Sequence, residues 1–330
     1  GNESVNLSID SELRPNNFNT LISSLFGYPQ YKGALPFVTT CSISSYYNDY
    51  KITRASGTFA VLKRYSIIRL TSGANAINLN KNLLVIAVES NYIIVRVLNN
   101  SVLIPEIDIN PTIECVGNTS GYLTNNNVSF TAEILQNDTE NKSEVYNGLI
   151  TNSVAVNLSN NSLPTISIQS IGKGLKQKSS TEYFSTYVAP NDNVLNNTYA
   201  CIYVDNIRTA MQSASINLQR STVQQFNTAS NKVQAIKQGV FSAEVSCNIY
   251  VLDDTVYDKY RNQESVGLCF TLPFDQSDSS AFVSYSFNNC KIVSYEKNDD
   301  TSIIAAVKFK VLADYRDISV NIQDSSDVTL

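Results

Sequence analysis

The chain has 330 residues, which is enough for two domains with separate hydrophobic cores. It carries 24 Lys and Arg against 29 Asp and Glu, for a formal net charge of −5, and this acidic balance argues against a basic face that wraps nucleic acid. It contains no histidine, which excludes Ser-His-Asp and Cys-His catalysis and His-containing metal sites. We therefore predict a protein that is not an enzyme and that holds no metal and no cofactor.

The first predicted element is an amphipathic helix over residues 16–26. Asn16 or Asn17 is expected to cap its start, and Gly27 to end it in the left-handed conformation. Its apolar side chains recur at i, i+3, i+4 and i+7, namely at Phe18, Leu21, Ile22 and Leu25. The preceding stretch, GNESVNLSID, has no basic or apolar region, so we expect no signal peptide, and no apolar run is long enough to span a membrane.

Residues 53–115 form the next predicted unit. Five or six short strands with tight turns predict a small β-barrel inserted into the first half of the chain. Pro105 indicates an edge strand or a break in this unit. Its basic residues are expected to meet acidic patches on a neighbouring subunit; they are Arg54, Lys63, Arg64, Arg69 and Arg96.

A short amphipathic strand occurs twice, as SVAVNL at 153–158 and as SASINL at 213–218, and each copy is followed by a loop and a returning strand. Alternation gives each hairpin one apolar face and one face of small, polar, nearly uncharged side chains. An ordinary half-exposed sheet would alternate in the same way but would carry more Lys and Glu on its solvent face. The polar face consists of Ser153, Ala155, Asn157, Ser167, Gln169, Ser215, Asn217, Gln219, Glu244, Ser246 and Asn248.

Two loops and one connection link these strands. The hairpin loops are predicted at Ser159–Pro164 and Ser221–Gln238. The connection between the two halves is rich in Ser, Asn and Pro, and we place it at 179–198. Three aromatic residues in this connection, Tyr183, Phe184 and Tyr187, indicate that it packs against another part of the chain.

A second helix is predicted at 253–263. Asp253 or Asp254 is expected to cap it, and its apolar face consists of Val256, Tyr257 and Tyr260.

The six cysteines lie at irregular spacing without a CxxC motif, which favours reduced core thiols over a disulfide framework; they are Cys41, Cys115, Cys201, Cys247, Cys269 and Cys290.

The order of these elements resembles the two-domain tail tube (major tail) proteins of long-tailed bacteriophages. The resemblance covers nearly the whole chain and rests on the early helix, on ITRASGTFA leading into the barrel, and on VYNGLITNSVAVNLSNNSLPTISIQSIGKG, CIYVDNIRTAMQSASINLQ, KQGVFSAEVSCNIYVLDDTVYDKY and AAVKFKVLADYRDISVNIQ. It implies a mainly β fold of duplicated β-sandwich or half-barrel tube domains, each with a flanking α-helix. The expected divisions are a first domain at 1–178 with the inserted barrel, a linker at 179–198, and a second domain at 199–330.

The same resemblance implies a structural virion protein. Such subunits form rings that stack into a tube for DNA ejection, and a two-domain subunit is expected to close its ring as a trimer with pseudo-six-fold symmetry. The repeated strand would supply alternate staves of an inner β-barrel, with the polar face lining the lumen and Phe226, Val233 and Ile236 making inter-ring contacts. Expected partners are further copies of the chain, the tape measure, tail terminator and baseplate proteins, and genomic DNA that passes without specific binding. No membrane partner is expected, the small barrel is expected outside the tube, and the protein is expected in the virion tail after assembly in the host cytoplasm.

Two alternatives remain open from the sequence. A baseplate, fibre or adhesin-type β module would share the β content and the lack of histidine, but it should expose an aromatic patch. A carboxylate-pair glycosidase needs no histidine, although no sequence feature places two carboxylates face to face.

Overall fold

A computed structural model describes residues 4–27, 31–32, 36–99, 101–121, 127–136, 142–160, 162–187, 194–227, 232–298, 303–312 and 320–324. The described chain is mainly β with two short α-helices, as predicted. The predicted linker lies partly outside the described residues, at 188–193. The helices are α1 (Asn19–Phe26) and α2 (Thr255–Arg261). The strands in chain order are β1 (Val5–Glu12), β2 (Tyr31–Lys32), β3 (Phe37–Val38), β4 (Cys41–Tyr46), β5 (Asp49–Arg54), β6 (Ile67–Ser72), β7 (Leu83–Val88), β8 (Tyr92–Val97), β9 (Glu106–Ile109), β10 (Thr112–Cys115), β11 (Asn118–Ser120), β12 (Phe130–Leu135), β13 (Ser143–Ser159), β14 (Thr165–Gly172), β15 (Gly174–Ser179), β16 (Cys201–Val204), β17 (Ile207–Arg208), β18 (Met211–Phe226), β19 (Val233–Tyr250), β20 (Ser265–Pro273), β21 (Phe282–Asn298), β22 (Ile304–Val311) and β23 (Val320–Asp324).

The larger sheet runs through both halves of the chain. Its main path is β1-β14-β13-β18-β19-β22-β21-β20-β16-β17, and every pair along it is antiparallel. Strands β13 and β18 join the halves, with Val156 opposite Ile216. Apolar side chains of both halves lie on one face of this sheet and form a single core.

The two copies of the repeated strand are direct neighbours in this sheet. They run antiparallel, with Ser153 opposite Gln219 and Ser159 opposite Ser213. The copies are therefore adjacent strands of one sheet, and their role as alternate staves of an inner β-barrel stays a prediction. A rotation about an axis along the strands superposes only strands of the same direction. Such a rotation would superpose β14 on β18 and β13 on β19. The two copies of the repeated strand, in β13 and β18, are instead related by a local two-fold axis.

The second sheet is the inserted barrel-like unit. Its order is β3-β10-β6-β7-β8-β5-β4-β9, and it encloses one core to which Ile43, Ile68, Val85 and Ile113 contribute. The unit begins at Phe37, earlier than the predicted start at 53, because the β4–β5 hairpin pairs Cys41 with Arg54. Hydrogen bonding between its described strands leaves β3 and β9 as the two ends, so the sheet is curled rather than closed.

Helix α1 covers the core face of the larger sheet. Ile22, Leu25 and Phe26 are buried there, and Gly27 ends the helix in the left-handed conformation with φ 70°, as predicted. The predicted N-cap is wrong. The helix begins after Phe18, without a side-chain cap, and the Asn16 backbone N–H donates to the Asp324 carboxylate at 2.7 Å.

Helix α2 is shorter than predicted and packs against β21. The Asp253 carboxylate accepts the Thr255 backbone N–H at 2.9 Å, which holds the first turn. Tyr257 and Tyr260 pack on Tyr295, with ring centroids 5.4 and 6.2 Å apart.

Most of the predicted loop at 221–238 is a continuation of the β18–β19 hairpin. Thr222 pairs with Gln238, and Phe226 pairs with Val233. Two bulges, at Arg220/Thr222 and Gln225/Phe226, break the alternation that would have indicated strand from the sequence.

The base of this hairpin holds the end of α1. Gln238 donates to the Ser24 carbonyl at 3.0 Å, and the buried Arg220 guanidinium donates to the Leu25 carbonyl at 3.3 Å. Arg220 thus satisfies a carbonyl of the kind that a helix C-terminus otherwise leaves without a partner, and Gln238 adds a second donor to the Ser24 carbonyl, which also accepts the Gly27 backbone N–H.

The barrel unit is fastened to the second half of the same chain. Arg64 donates to Asp205 at 3.0 Å. Arg96 binds Asp49 through Nε and Nη2 and donates to the Asn206 carbonyl through Nη1. Arg69 donates to the Ser279 carbonyl and Arg54 to the Thr39 hydroxyl. The prediction that these arginines meet a neighbouring subunit is therefore wrong, because their partners are in the same chain.

An apolar contact reinforces this junction. Tyr65 is buried with φ 66° and joins Tyr203, Cys269 and Phe282 in one cluster. It lies so close to Gly267 that a Cβ at that position would be 2.5 Å from the Tyr65 hydroxyl. Glycine is required at this contact.

Five of the six cysteines are buried, and none of the six forms a disulfide. Burial raises the pKa of Cys247 to about 12 and, against a lesser opposing effect of hydrogen bonds from Thr271 and Ser284, that of Cys269 to about 11. These thiols stay protonated at neutral pH and act as small apolar core residues, as predicted.

Candidate functional site

The candidate site is the solvent face of the larger sheet, here called the polar face. It lies opposite the core face of β1, β14, β13, β18, β19 and β22. All eleven side chains that the sequence assigned to a polar face lie on this side, and none of them is buried: Ser153, Ala155, Asn157, Ser167, Gln169, Ser215, Asn217, Gln219, Glu244, Ser246 and Asn248. Val154, Val156, Ile216 and Val245, which alternate with them, are buried in the core.

Cross-strand pairing arranges these side chains in rows. One row runs from Asp10 through Ser167, Ala155, Asn217 and Glu244. The row continues to Lys310 on β22. The polar face is therefore one continuous surface to which both halves of the chain contribute.

Hydrogen bonds within the polar face fix several of its side chains. The Ser215 hydroxyl donates to the Asn157 side-chain oxygen at 2.9 Å, and Asn248 donates to the Ser213 hydroxyl at 2.9 Å. At the β1 edge, the Ser167 hydroxyl donates to Asp10 at 2.5 Å. Amides and hydroxyls that partly satisfy one another form an ordered surface that remains hydrated.

The polar face is concave near one end of the sheet. Residues from β13, β18, β19, β21 and β22 line a depression of about 500 Å³, with Asn157, Ser215, Ser246 and Asn248 among them.

Sequence reasoning missed the charged margins of the polar face. Lys308 and Lys310 are exposed on β22, and Asp10 and Glu12 lie on β1. The alternation in AAVKFKVL could have indicated that these lysines face solvent, because the side chains that alternate with them, Val307, Phe309 and Val311, are buried. What the sequence did not show was that β22 and β1 extend the same face.

A comparison with known protein families identifies the chain. The profile of the phage tail tube protein family matches residues 1–311. The chain belongs to the phage tail tube protein family. A comparison with curated proteins gave no match. Membership makes the chain a structural component of the phage tail, and this family is not a class of enzymes.

Within the ranges that the structure describes, no group of three or more Cys, Asp or Glu side chains could hold a metal ion. No helix among these residues is both long and apolar enough to cross a bilayer.

Only one of the three residues predicted for inter-ring contacts is on the surface of the tail tube protein. Phe226 is 39% exposed near the hairpin tip. Val233 and Ile236 are instead buried against Ile150 and Ile171. Two exposed side chains of the same hairpin, Val223 and Val240, were not singled out by the sequence pattern.

The two hairpin turns of the tail tube protein lie at opposite ends of the sheet. This follows from the antiparallel pairing of β13 and β18, since each turn comes at the C-terminal end of its strand. The end with the 159–164 turn carries a recess of about 420 Å³ lined by residues that include Asn160, Met211, Tyr250 and Leu252. The other end carries the outer part of the β18–β19 hairpin, residues 221–227 and 232–238.

Proposed function

We propose that this tail tube protein assembles into stacked rings whose lumen is lined by the polar face and through which genomic DNA leaves the virion. A trimeric ring with pseudo-six-fold symmetry fits a chain in which each half, 1–178 and 199–330, contributes one hairpin to the wall. The observation that supports this proposal most directly is the single continuous polar face that both halves build in front of a shared core.

The chemistry of the polar face suits a passage for DNA. Double-stranded DNA carries about one negative charge per 1.7 Å of its axis, so a strongly basic wall would hold the phosphates and stop the duplex. Serine, asparagine and glutamine offer hydrogen bonds without a fixed charge, and Glu244 lies directly opposite Lys310, so these two charges offset each other. The wall would therefore keep DNA hydrated without gripping it.

The remaining parts of the chain would face other proteins. The barrel unit packs on β16, β20 and β21 through Tyr65, Tyr203 and Phe282, and we expect it on the outside of the proposed tube. Partners in the proposal are further copies in the same and adjacent rings, and the tape measure, terminator and baseplate proteins at the ends. DNA would be a passing contact, and assembly would take place in the host cytoplasm.

Negative-stain electron microscopy tests the proposal. We expect purified protein at high concentration, or tails isolated from virions, to show rings or tubes with a central channel built from this chain. A stable monomer in every condition, together with tails that lack this chain along their length, would contradict it.

One observation favours a second candidate function, a surface-binding module. Tyr47 is 92% exposed at the tip of the β4–β5 hairpin and packs edge-on against Tyr46, with ring centroids 5.0 Å apart. Exposed aromatic faces suit the binding of other molecules. The same micrographs discriminate between the two candidates, because a binding module of a baseplate or fibre would appear at the tail tip and not along the tube.

A further inference from the structure

The seven-stranded part of the larger sheet that carries the polar face has two open edges. Among the described strands, β1 pairs only with β14. At the other margin, residues 292–298 of β21 pair with β22 and with no other strand that the structure describes, because β20 and β23 pair with the first part of β21. Open edges present unpaired backbone N–H and C=O groups, to which another strand can add.

The two open edges run in the same direction. Six antiparallel steps separate β1 from β21, along β1-β14-β13-β18-β19-β22-β21. Each antiparallel pairing reverses the strand direction, and six reversals leave β1 and β21 parallel to each other. A cyclic ring keeps every copy in the same orientation to its axis, so β1 of one copy would meet β21 of the next as a parallel pair. A two-fold dimer would instead place like edges together in antiparallel pairs.

Charge on the polar face differs between the two margins. The β1 margin carries Asp10 and Glu12, with Arg14 bound to Glu12 at 2.9 Å. The β21–β22 margin carries Lys291, Lys308 and Lys310 together with Glu296, and it remains basic when Glu244, opposite Lys310, is included. Joining like margins would bring like charges together, whereas joining unlike margins would pair acid with base.

We propose that a second copy of this chain docks head to tail on these edges, with the acidic β1 margin of one copy against the basic β21–β22 margin of the next through a parallel strand pair. The inference rests on the proposed function, because it names the lateral contact that would close the ring. The charge difference favours this contact over a two-fold dimer. The same contact removes both open edges and continues the polar face from one copy to the next.

Charge reversal on one margin tests the contact. The variant D10K/E12K makes both margins basic, and K308E/K310E makes both acidic. We expect each to lose rings at least about tenfold, by light scattering and negative-stain counts, because like charges across an interface oppose association. The variant with all four substitutions restores unlike margins and should recover ring formation. A control, E89K/E182K, makes the same charge change as D10K/E12K at exposed positions away from both margins.

A mixture of the two reversed variants gives a second readout. In the mixture, a basic margin meets an acidic margin only where a copy of one variant lies next to a copy of the other. We expect the equimolar mixture to associate, although a ring with an odd number of copies cannot alternate them and should stay open. Closed rings from the mixture would contradict a trimer.

The outcomes separate this inference from the proposed function. Rings of the unchanged protein that persist in both reversed variants would overturn the edge assignment alone. A natively folded four-substitution variant that stays monomeric, judged by circular dichroism and thermal unfolding, would overturn the charge pairing. An unchanged chain that never forms rings or tubes, alone or in tails, would overturn the proposed function and this contact with it.

Discussion

At the scale of single residues, Glu133 holds the segment that leads from the first half of the chain to the second. Its carboxylate accepts the backbone N–H groups of Tyr183 and Phe184, at 2.7 and 3.0 Å, and the Tyr187 hydroxyl at 3.0 Å. The sequence predicted that these aromatic residues pack against another part of the chain. Their rings are nevertheless exposed, and what is bound is mainly their backbone.

Replacement of this carboxylate should release the segment. We expect Glu133→Gln to increase chymotrypsin cleavage after Tyr183, Phe184 and Tyr187 severalfold, because a neutral amide accepts these bonds less strongly than a carboxylate. Glu144→Gln is the control, since Glu144 lies on the neighbouring strand and binds Lys178 and Tyr146 instead. Equal cleavage of both variants would show that Glu133 does not hold the segment.

The attachment should depend on pH in a defined direction. Desolvation opposes ionisation of Glu133, but hydrogen bonds from Ser143, Tyr183, Phe184 and Tyr187 outweigh it and hold its pKa at about 2. A lowered pKa means that the ionised carboxylate favours the attached state above the ordinary glutamate range, and that this preference is lost as the pH falls toward 2. Hydrogen exchange at 182–185 should therefore stay slow at pH 5 and lose its protection near pH 2.

At the scale of elements, the β18–β19 hairpin and α1 stabilise each other through Arg220. This residue is 3% exposed and donates to the Leu25 carbonyl in α1 and to the Gly239 carbonyl across the hairpin, both at 3.3 Å. Arg220→Met should lower the free energy of unfolding by about 1–3 kcal/mol, because it removes a donor from the buried Leu25 carbonyl. Urea unfolding measures the change.

The exposed Lys237 provides the matched control for Arg220. It lies on the same hairpin, and Lys237→Met should change the free energy of unfolding by less than about 0.5 kcal/mol. If both variants unfold at the same urea concentration, Arg220 does not hold the helix end.

The sequence predicted elements whose signal is local. The alternation in SVAVNL and SASINL placed every side chain of these strands on the correct face, because period-two patterns depend only on neighbouring residues. The apolar stripe of α1 and the role of Gly27 were predicted for the same reason.

Other elements depended on information that the local pattern lacks. The upper hairpin at 221–238 is rich in Gln, Ser and Thr and contains two bulges, so its pattern resembles a loop. The partners of Arg64 are more than 140 residues away in the sequence, at Asp205 and Asn206, and no periodicity indicates such a contact. The pairing of β13 with β18, which makes the polar face continuous, is likewise set by the tertiary fold.

At the scale of the whole molecule, the proposed lumen can be tested by adding charge to it. Asn217→Lys with Gln219→Lys adds two lysines to exposed positions of the polar face, and Ser44→Lys with Ser45→Lys adds two to an exposed stretch of the barrel unit. Assembled tubes of the first variant should retain double-stranded DNA more strongly than unchanged tubes. The retention should fall steeply between low and physiological salt, because phosphate contacts release counterions.

The barrel variant serves as the control for this experiment. Its added lysines lie on the proposed outer surface, so DNA inside the tube would not meet them. Equal retention by both variants would show that the polar face does not line the channel.

The placement of the two hairpin turns at opposite ends of the sheet has a consequence for a growing tail. In any stack of rings built from such subunits, one terminus would display the outer part of the β18–β19 hairpin and the other would display the recess beside Leu252. The filament would thus be polar, with two structurally different ends. A protein shaped to start it at one terminus would find no matching surface at the other, so two chemically distinct caps would be needed to begin and to finish it.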